Sequence, residues 1–117
     1  MPTPTEIHYD KAAKLLKVAF DDGAAFEIPA ELLRVESPSA EVQGHSPMQK
    51  QLVAGRRHVS IIGIEPVGHY AVRLIFDDLH DSGIYTWDAL YRFGEEKEGL
   101  WQAYLDALAA AGKSREP

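Results

Sequence analysis

Leu16, Val18 and Phe20 alternate with Lys17 and Ala19, a period of two that predicts a strand with one buried face. The Asp-Asp-Gly at 21–23 predicts a tight turn in which Gly23 is free to take positive φ. Phe26 and Ile28 then share one face of a returning strand, completing a hairpin. A shorter strand at 7–9 is placed beside it, and residues 1–5, with Pro2 and Pro4, are expected to fray. A second hairpin follows. Val59, Ile61 and Ile64 precede a turn at "EPVG", and Tyr70, Val72, Leu74 and Phe76 alternate after it with Ala71, Arg73 and Ile75. Its opposite face is partly apolar, so this strand is expected to be covered on both sides.

Between the hairpins the pattern breaks. Pro29 before Ala30 and Glu31 predicts a short helix in "PAELLRVES". Residues 37–47, "SPSAEVQGHSP", predict a loop, and "PMQKQLVAG" one or two helical turns ending at Gly55. After the second hairpin the period becomes helical. Thr86 is the predicted N-cap, Asp88 sits in the first turn and Gly94 is the predicted stop. Leu100, Trp101, Tyr104, Leu105 and Leu108 form one apolar stripe on a last helix over about 96–111, ended by Gly112 and followed by a tail. The predicted fold class is α+β: two antiparallel β-hairpins forming a small sheet, packed by C-terminal helices. A length of 117 residues predicts a single domain, 1–117, with its core over about 6–112.

Charge narrows the partners. With 12 basic and 18 acidic residues the net charge is -6, which argues against bulk electrostatic binding of nucleic acid or anionic membrane. A local positive excess at Arg34, Lys50, Arg56 and Arg57 reads as a solvated face. With no cysteine, the chain has no disulfide, thiolate nucleophile or Cys-ligated metal of its own. No apolar run approaches the roughly 20 residues that span a bilayer. The first ten residues lack a basic segment followed by an apolar one, so cytoplasmic location is expected.

The most chemically loaded run is "LHDSGIYTW", residues 79–87. His80, Asp81 and Ser82 supply the residue types of a serine hydrolase, but a triad needs three side chains converging from separate segments, and no G-x-S-x-G elbow is present. Asp81, Ser82 and Gly83 read as turn chemistry, and Ile84, Tyr85 and Trp87 as the core anchor of the next helix. Of His8, His45, His58, His69 and His80, no pair has the H-x-x-x-H or H-x-H spacing that puts two imidazoles on one face. His45 and His80 both sit in predicted loops and are the candidate metal ligands, for zinc or iron. His58 and His69 flank the second hairpin as predicted cross-strand neighbours.

Three segments in order, "IPAELLRVESPSAEVQGH", "IEPVGHYAVRLIFDDLHDSGIYTWDALYRFG" and "LWQAYLDALAAAG", resemble the gamma-butyrobetaine hydroxylase-like N-terminal domain family over about residues 6–112. In gamma-butyrobetaine and trimethyllysine dioxygenases such a domain precedes the iron(II)/2-oxoglutarate catalytic domain. It holds a structural zinc there through three cysteines of an "LRxxCxCxxC" segment and a later histidine. A similar domain in some proteins follows a P-loop iron–sulfur scaffold ATPase, and stand-alone bacterial versions carry no assigned activity. The resemblance sets "LRVESPSAEV" on the cysteine segment, with Ser37, Ser39 and Val42 at the cysteine positions and His80 at the histidine position. It therefore carries one of four zinc ligands to this chain, and it implies no hydroxylase activity, because the catalytic domain has no counterpart in the sequence.

The resulting expectation is a non-catalytic interaction module, an accessory to iron–sulfur cluster or metal handling, with a protein partner met through residues 37–47 and 80–85. Arg34, Ser37, Ser39, Arg57 and Asp81 are the expected partner surface. The alternatives are a metal-binding protein that uses His80 and His45, and a docking subunit for a separate 2-oxoglutarate dioxygenase.

Overall fold

Leu16, Val18 and Phe20 all point to one side of the strand Leu15–Phe20 and are buried there. That strand is β2, the centre of an antiparallel sheet in the order β1-β2-β3, with β1 at Pro4–Asp10 and β3 at Ala25–Pro29. A computed structural model describes residues 2–117 (for Pro47, the backbone). Helix α1, Ala30–Val35, follows β3 directly, with Pro29 at its N-cap. A one-turn helix α2, Ala40–Gln43, and a 3-10 turn, Pro47–Gln49, lie within the loop region. Strands β4 (Ile61–Val67), β5 (Ala71–Phe76) and β6 (Gly83–Thr86) form a second antiparallel sheet in that order. Helices α3 (Trp87–Glu95) and α4 (Lys97–Ala110) complete the fold.

The α+β class holds, with two three-stranded sheets in place of one small sheet made from two hairpins. Each hairpin gains a strand. The predicted strand at 7–9 pairs with β2 and extends back to Pro4. Thr3 is also held, exchanging hydrogen bonds with Asp21 (N to Oδ1 3.1 Å, and Asp21 N to Thr3 O 2.9 Å), so the start of the chain pairs where fraying was expected. In the second sheet β6 takes up residues assigned to a turn and a helix entry. Gly83 and Tyr85 point inward while Ile84 and Thr86 face solvent, the alternation of a strand. Tyr85 is the core anchor, and Trp87 is only half-buried, its indole N–H donating to the His69 carbonyl at 2.9 Å.

The β4–β5 turn also moves. β4 runs on through Glu65 and Pro66 to Val67, and Tyr70 stands exposed in the turn that follows. Pro66 is tolerated because β4 is an edge strand, where a missing N–H breaks no ladder bond. His58 lies before β4 and His69 after it, at opposite ends of the strand, so they are not cross-strand neighbours.

Both sheets bury their inner faces in one cluster that includes Leu16, Ile28, Leu33, Leu74, Phe76 and Leu90. Gly94 lies inside α3 and does not stop it, because its missing Cβ is what brings α3 onto β3: a Cβ there would stand 2.2–2.6 Å from three ring atoms of Phe26. That ring packs edge-on with Tyr91 (centroids 5.2 Å apart) and Phe20 (6.0 Å). The helix ends at Glu96 instead. Gly112, at φ 66°, closes α4 with Lys113 N on Leu108 O and Gly112 N on Ala109 O, a Schellman arrangement.

An alanine at an open helix position gains about 0.8–1 kcal/mol over glycine. At position 94 the overpacking against Phe26 outweighs that gain, and Gly94→Ala is expected to lose about 1–3 kcal/mol in urea melts. Placing the same change beside Phe26→Leu should recover part of the loss. A Gly94→Ala chain as stable as the parent would show that the ring moves aside freely.

Candidate functional site

The turn after β5 places Asp78, Leu79 and His80 in succession. Phe76 N donates to His80 O (3.0 Å) and Leu79 N to Phe76 O (3.1 Å), which forces Leu79 into the left-handed region at φ 73°. The Asp78 carboxylate holds the turn from both sides. Its Oδ2 accepts Arg34 Nε from α1 and Arg56 Nε from the loop before β4, each at 2.7 Å. Its Oδ1 accepts the His80 backbone N–H at 3.1 Å. Partial burial opposes ionisation of Asp78, but the His80 N–H and the two arginines outweigh it and hold the carboxyl below its ordinary range.

His80 is thereby pointed into a polar cluster with α1 and α2 as its far wall. Its Nε2 lies 2.9 Å from Ser37 Oγ and its Nδ1 3.4 Å from Glu41 Oε2. Ser39 is the N-cap of α2, accepting from Glu41 N at 3.2 Å. Ser82 donates to Glu41 Oε1 at 2.8 Å, so the 2.7 Å contact between Ser39 and Ser82 takes its proton from Ser39. The Ser37 hydroxyl also accepts the Ser39 N–H (3.3 Å). Gln43 Nε2 satisfies the Ser37 carbonyl at 2.9 Å. Gly83 gives the cluster its room: a Cβ at that position would meet Ser37 Oγ at 2.6 Å and the Tyr85 ring at 3.0 Å. Tyr85 donates its hydroxyl to the Leu33 carbonyl, and burial raises its ionisation well above the usual range, so it remains a donor.

Burial lowers the basicity of His80, and the positive Arg34 nearby lowers it further against the pull of Glu41 and Asp78. The ring is neutral at pH 7. With its proton on Nδ1, towards Glu41, Nε2 accepts the Ser37 hydroxyl proton. Arg34 Nη1 is buried and has no hydrogen-bond partner among the described residues.

Glu41, His80 and Ser37 thus stand in the order carboxylate, imidazole, hydroxyl, with Ser37 and Glu41 from the stretch around α2 and His80 from the turn after β5. The arrangement was invisible in "HDS", where Asp81 and Ser82 were the apparent partners. It still does no acyl transfer. Ser37 has no solvent exposure, and the Ser39 N–H, Gly83 and Tyr85 fill the space a substrate carbonyl would need.

The expected site residues divide accordingly. Ser37, Ser39 and His80 meet in the cluster, and Arg34 braces it. All four are buried, so they cannot themselves form a partner surface. Asp81 is exposed on the same turn and pairs with Arg73 (3.4 Å). Arg57 lies elsewhere, hydrogen-bonded to Arg115 and paired with Glu116. His45 is exposed, its backbone N–H on Gln49 Oε1 at 2.8 Å, and takes no part in the hydrogen bonds of the cluster. Among the described residues no three His, Asp or Glu side chains gather as a metal-ligand set. Sequence reading missed Glu41, Asp78, Arg56 and Ser82. Only the paired acids before "LH" signalled a carboxylate beside His80.

The family model described as "Gamma-butyrobetaine hydroxylase-like, N-terminal" matches residues 7–91. The chain belongs to this family. Two solution NMR structures are similar to it. One is 49% identical, with a TM-score of 0.87, over 100% of this chain and 92% of its own. The other is 45% identical, with a TM-score of 0.86, over 100% of this chain and 87% of its own. A crystal structure of a protein of unknown function from Acidithiobacillus ferrooxidans, of the DUF971 family, is 39% identical with a TM-score of 0.67, over 79% of this chain and 92% of its own. No curated protein matches the chain.

In the gamma-butyrobetaine hydroxylase-like fold, positions 37, 39 and 80 do converge, but the residues present do not fit zinc. Two are neutral hydroxyls, position 42 is a buried valine, and the imidazole nitrogen that would face a metal is hydrogen-bonded to Ser37. The Arg34 charge, which already disfavours protonation of the ring, disfavours a dication there as well.

Two tests follow from this packing. Gly83→Ala is expected to cost about 1–3 kcal/mol, because neither Ser37 nor Tyr85 has room to retreat; an unchanged urea midpoint would contradict the contact. His80 should also make stability depend on pH. Above its ordinary value of 6.5 the ring is neutral folded and unfolded, and it adds no slope. Below 6.5 the unfolded chain takes the proton first, so stability falls until the lower folded value is passed. Denaturant melts from pH 7.5 down to about 5, where the lowered carboxylates have not yet titrated, should show this slope in the parent and lose it in His80→Gln.

Proposed function

We propose that this chain is a non-catalytic interaction module, an accessory to iron–sulfur cluster or metal handling, which meets a protein partner at the turn around Leu79. The observation that carries the reading is Leu79 itself. It is 85% exposed and held at φ 73°, a conformation that costs a leucine about 1–2 kcal/mol and gains the core nothing. The Asp78 ion pairs enforce that posture. Asp81, on the same turn, and Ile84 (43% exposed), facing outward from β6, follow within five residues, so the exposed stretch offers both charged and apolar side chains. Support for a partner in iron–sulfur or metal handling comes from the family's fusions to a scaffold ATPase and to dioxygenase domains, a fold-level argument. The closed state of the Glu41–His80–Ser37 cluster supports a binding role over a catalytic one.

Leu79→Gly separates binding from folding. It removes an exposed side chain and relieves the left-handed backbone, so stability is expected to be unchanged or higher by up to about 1 kcal/mol. Affinity capture from host cells with the parent chain is expected to recover iron–sulfur assembly proteins, and capture with Leu79→Gly to lose them. Equal recovery by both chains, or a partnerless parent, would overturn the proposal.

A further inference from the structure

The tail after α4 turns back and seats in a groove between α1, α4 and the loop before β4. The Ser114 carbonyl accepts Gly55 N and the Arg115 carbonyl accepts Arg57 N, both at 3.0 Å. The Arg115 guanidinium forks onto Glu31, Nε to Oε2 and Nη2 to Oε1, each at 2.8 Å. Its carbon lies 4.9 Å from the centroid of the Trp101 ring. Glu31 is only 5% exposed, and its carboxylate also accepts the Tyr104 hydroxyl at 2.7 Å. Beyond it, Glu116 pairs with Arg57.

A buried carboxylate with an aromatic face beside it selects the flat, two-pronged guanidinium over the ammonium of lysine. The backbone donors of Gly55 and Arg57 fix an extended segment across it, and Arg57 favours an acid directly after the arginine. The tail is held at few points: one forked ion pair against the Trp101 ring, one exposed ion pair and two backbone hydrogen bonds, with Glu116 and Pro117 exposed. A cleft of about 280 Å³ bordered by Lys14, Glu31, Arg57 and Trp101 stays open beside the seated guanidinium.

We infer that this groove is a peptide-recognition site for an extended Arg-Glu segment of a partner protein, occupied in cis by residues 114–116 and opened when the partner's segment displaces them. Its edge reaches Asp77 and Asp78 beside Pro117, but the contacts that seat Arg115 do not involve Leu79, and they stand whether or not the Leu79 turn binds a partner.

The test uses the full chain with Arg115→Ala and, in parallel, Arg115→Lys, which keeps a cation against Glu31 but lacks the fork. The probe is a blocked synthetic peptide, Lys-Ser-Arg-Glu-Pro, followed by indole fluorescence and by amide chemical shifts. Either variant is expected to bind it at least tenfold tighter than the parent, whose own tail competes. Lysine or alanine in place of the peptide arginine should lose at least tenfold on the same protein. Adding Glu31→Gln should abolish the gain. A folded variant that binds no tighter than the parent, or that accepts the lysine peptide equally, would overturn the inference. So would a parent chain that dimerises through Arg115, since the occupant would then be a second copy of the tail.

Discussion

The carboxylate of Asp78 is the point on which the architecture turns. One oxygen takes Arg34 from α1 and Arg56 from the loop before β4, and the other takes the His80 backbone. Three segments distant in sequence are thereby joined behind one short turn. The turn's geometry is then no longer free: His80 must point inward at Ser37, and Leu79 must accept a left-handed backbone with its side chain in water. Such partly buried, charge-assisted bonds contribute more than a surface pair, about 1.5–3 kcal/mol each. Loss of Asp78 would leave the inward-facing Arg34 without its acceptor, which is worse than loss of both partners together.

The polar cluster beyond Asp78 is held by hydrogen bonds among Ser37, Ser39, Ser82, Glu41 and His80. Structural zinc contributes on the order of 10–16 kcal/mol to small domains that depend on it. The bonds that link Ser37 to His80, Ser39 to Ser82 and Ser82 to Glu41 contribute about 0.5–1.5 kcal/mol each and cannot match that sum. The apolar core that both sheets share is the other support, where Leu16, Ile28, Leu33, Leu74, Phe76 and Tyr85 are completely covered. Gly83 and Tyr85 are the link between the two regions, since β6 contributes to the core and to the wall of the cluster with adjacent inward positions.

How much of this was legible in the amino-acid order depends on element length and on what each residue packs against. β2 was clear because it is a central strand whose three inward residues are all apolar. β6 was not, because it has only two inward residues and one of them is a glycine preceded by turn-forming side chains. Gly94 carries the signature of a helix stop, and only the position of the Phe26 ring reveals it as a packing residue. In the cluster, His80 stood out through the polar run it sits in, and the seryl positions through the family resemblance. Glu41 and Arg56 were beyond reach, and Asp78 was marked only by the acid pair before "LH", since their roles arise from contacts across 22 to 44 residues of chain. Arg115 was hidden for a different reason: a polar five-residue end reads as solvent-exposed unless a buried Glu31 is known to be waiting for it.

The second sheet leaves β4 on its edge, and that edge is interrupted twice. Its register shifts between Ile61 and Gly63, and Pro66 stands near the other end. An incoming strand from another molecule would find a misaligned first rung and, three residues later, no amide hydrogen to receive. The stretch left between these breaks is shorter than a stable intermolecular ladder requires. Ile62 can therefore remain 64% exposed on an open strand without turning that edge into a seed for fibrous assembly.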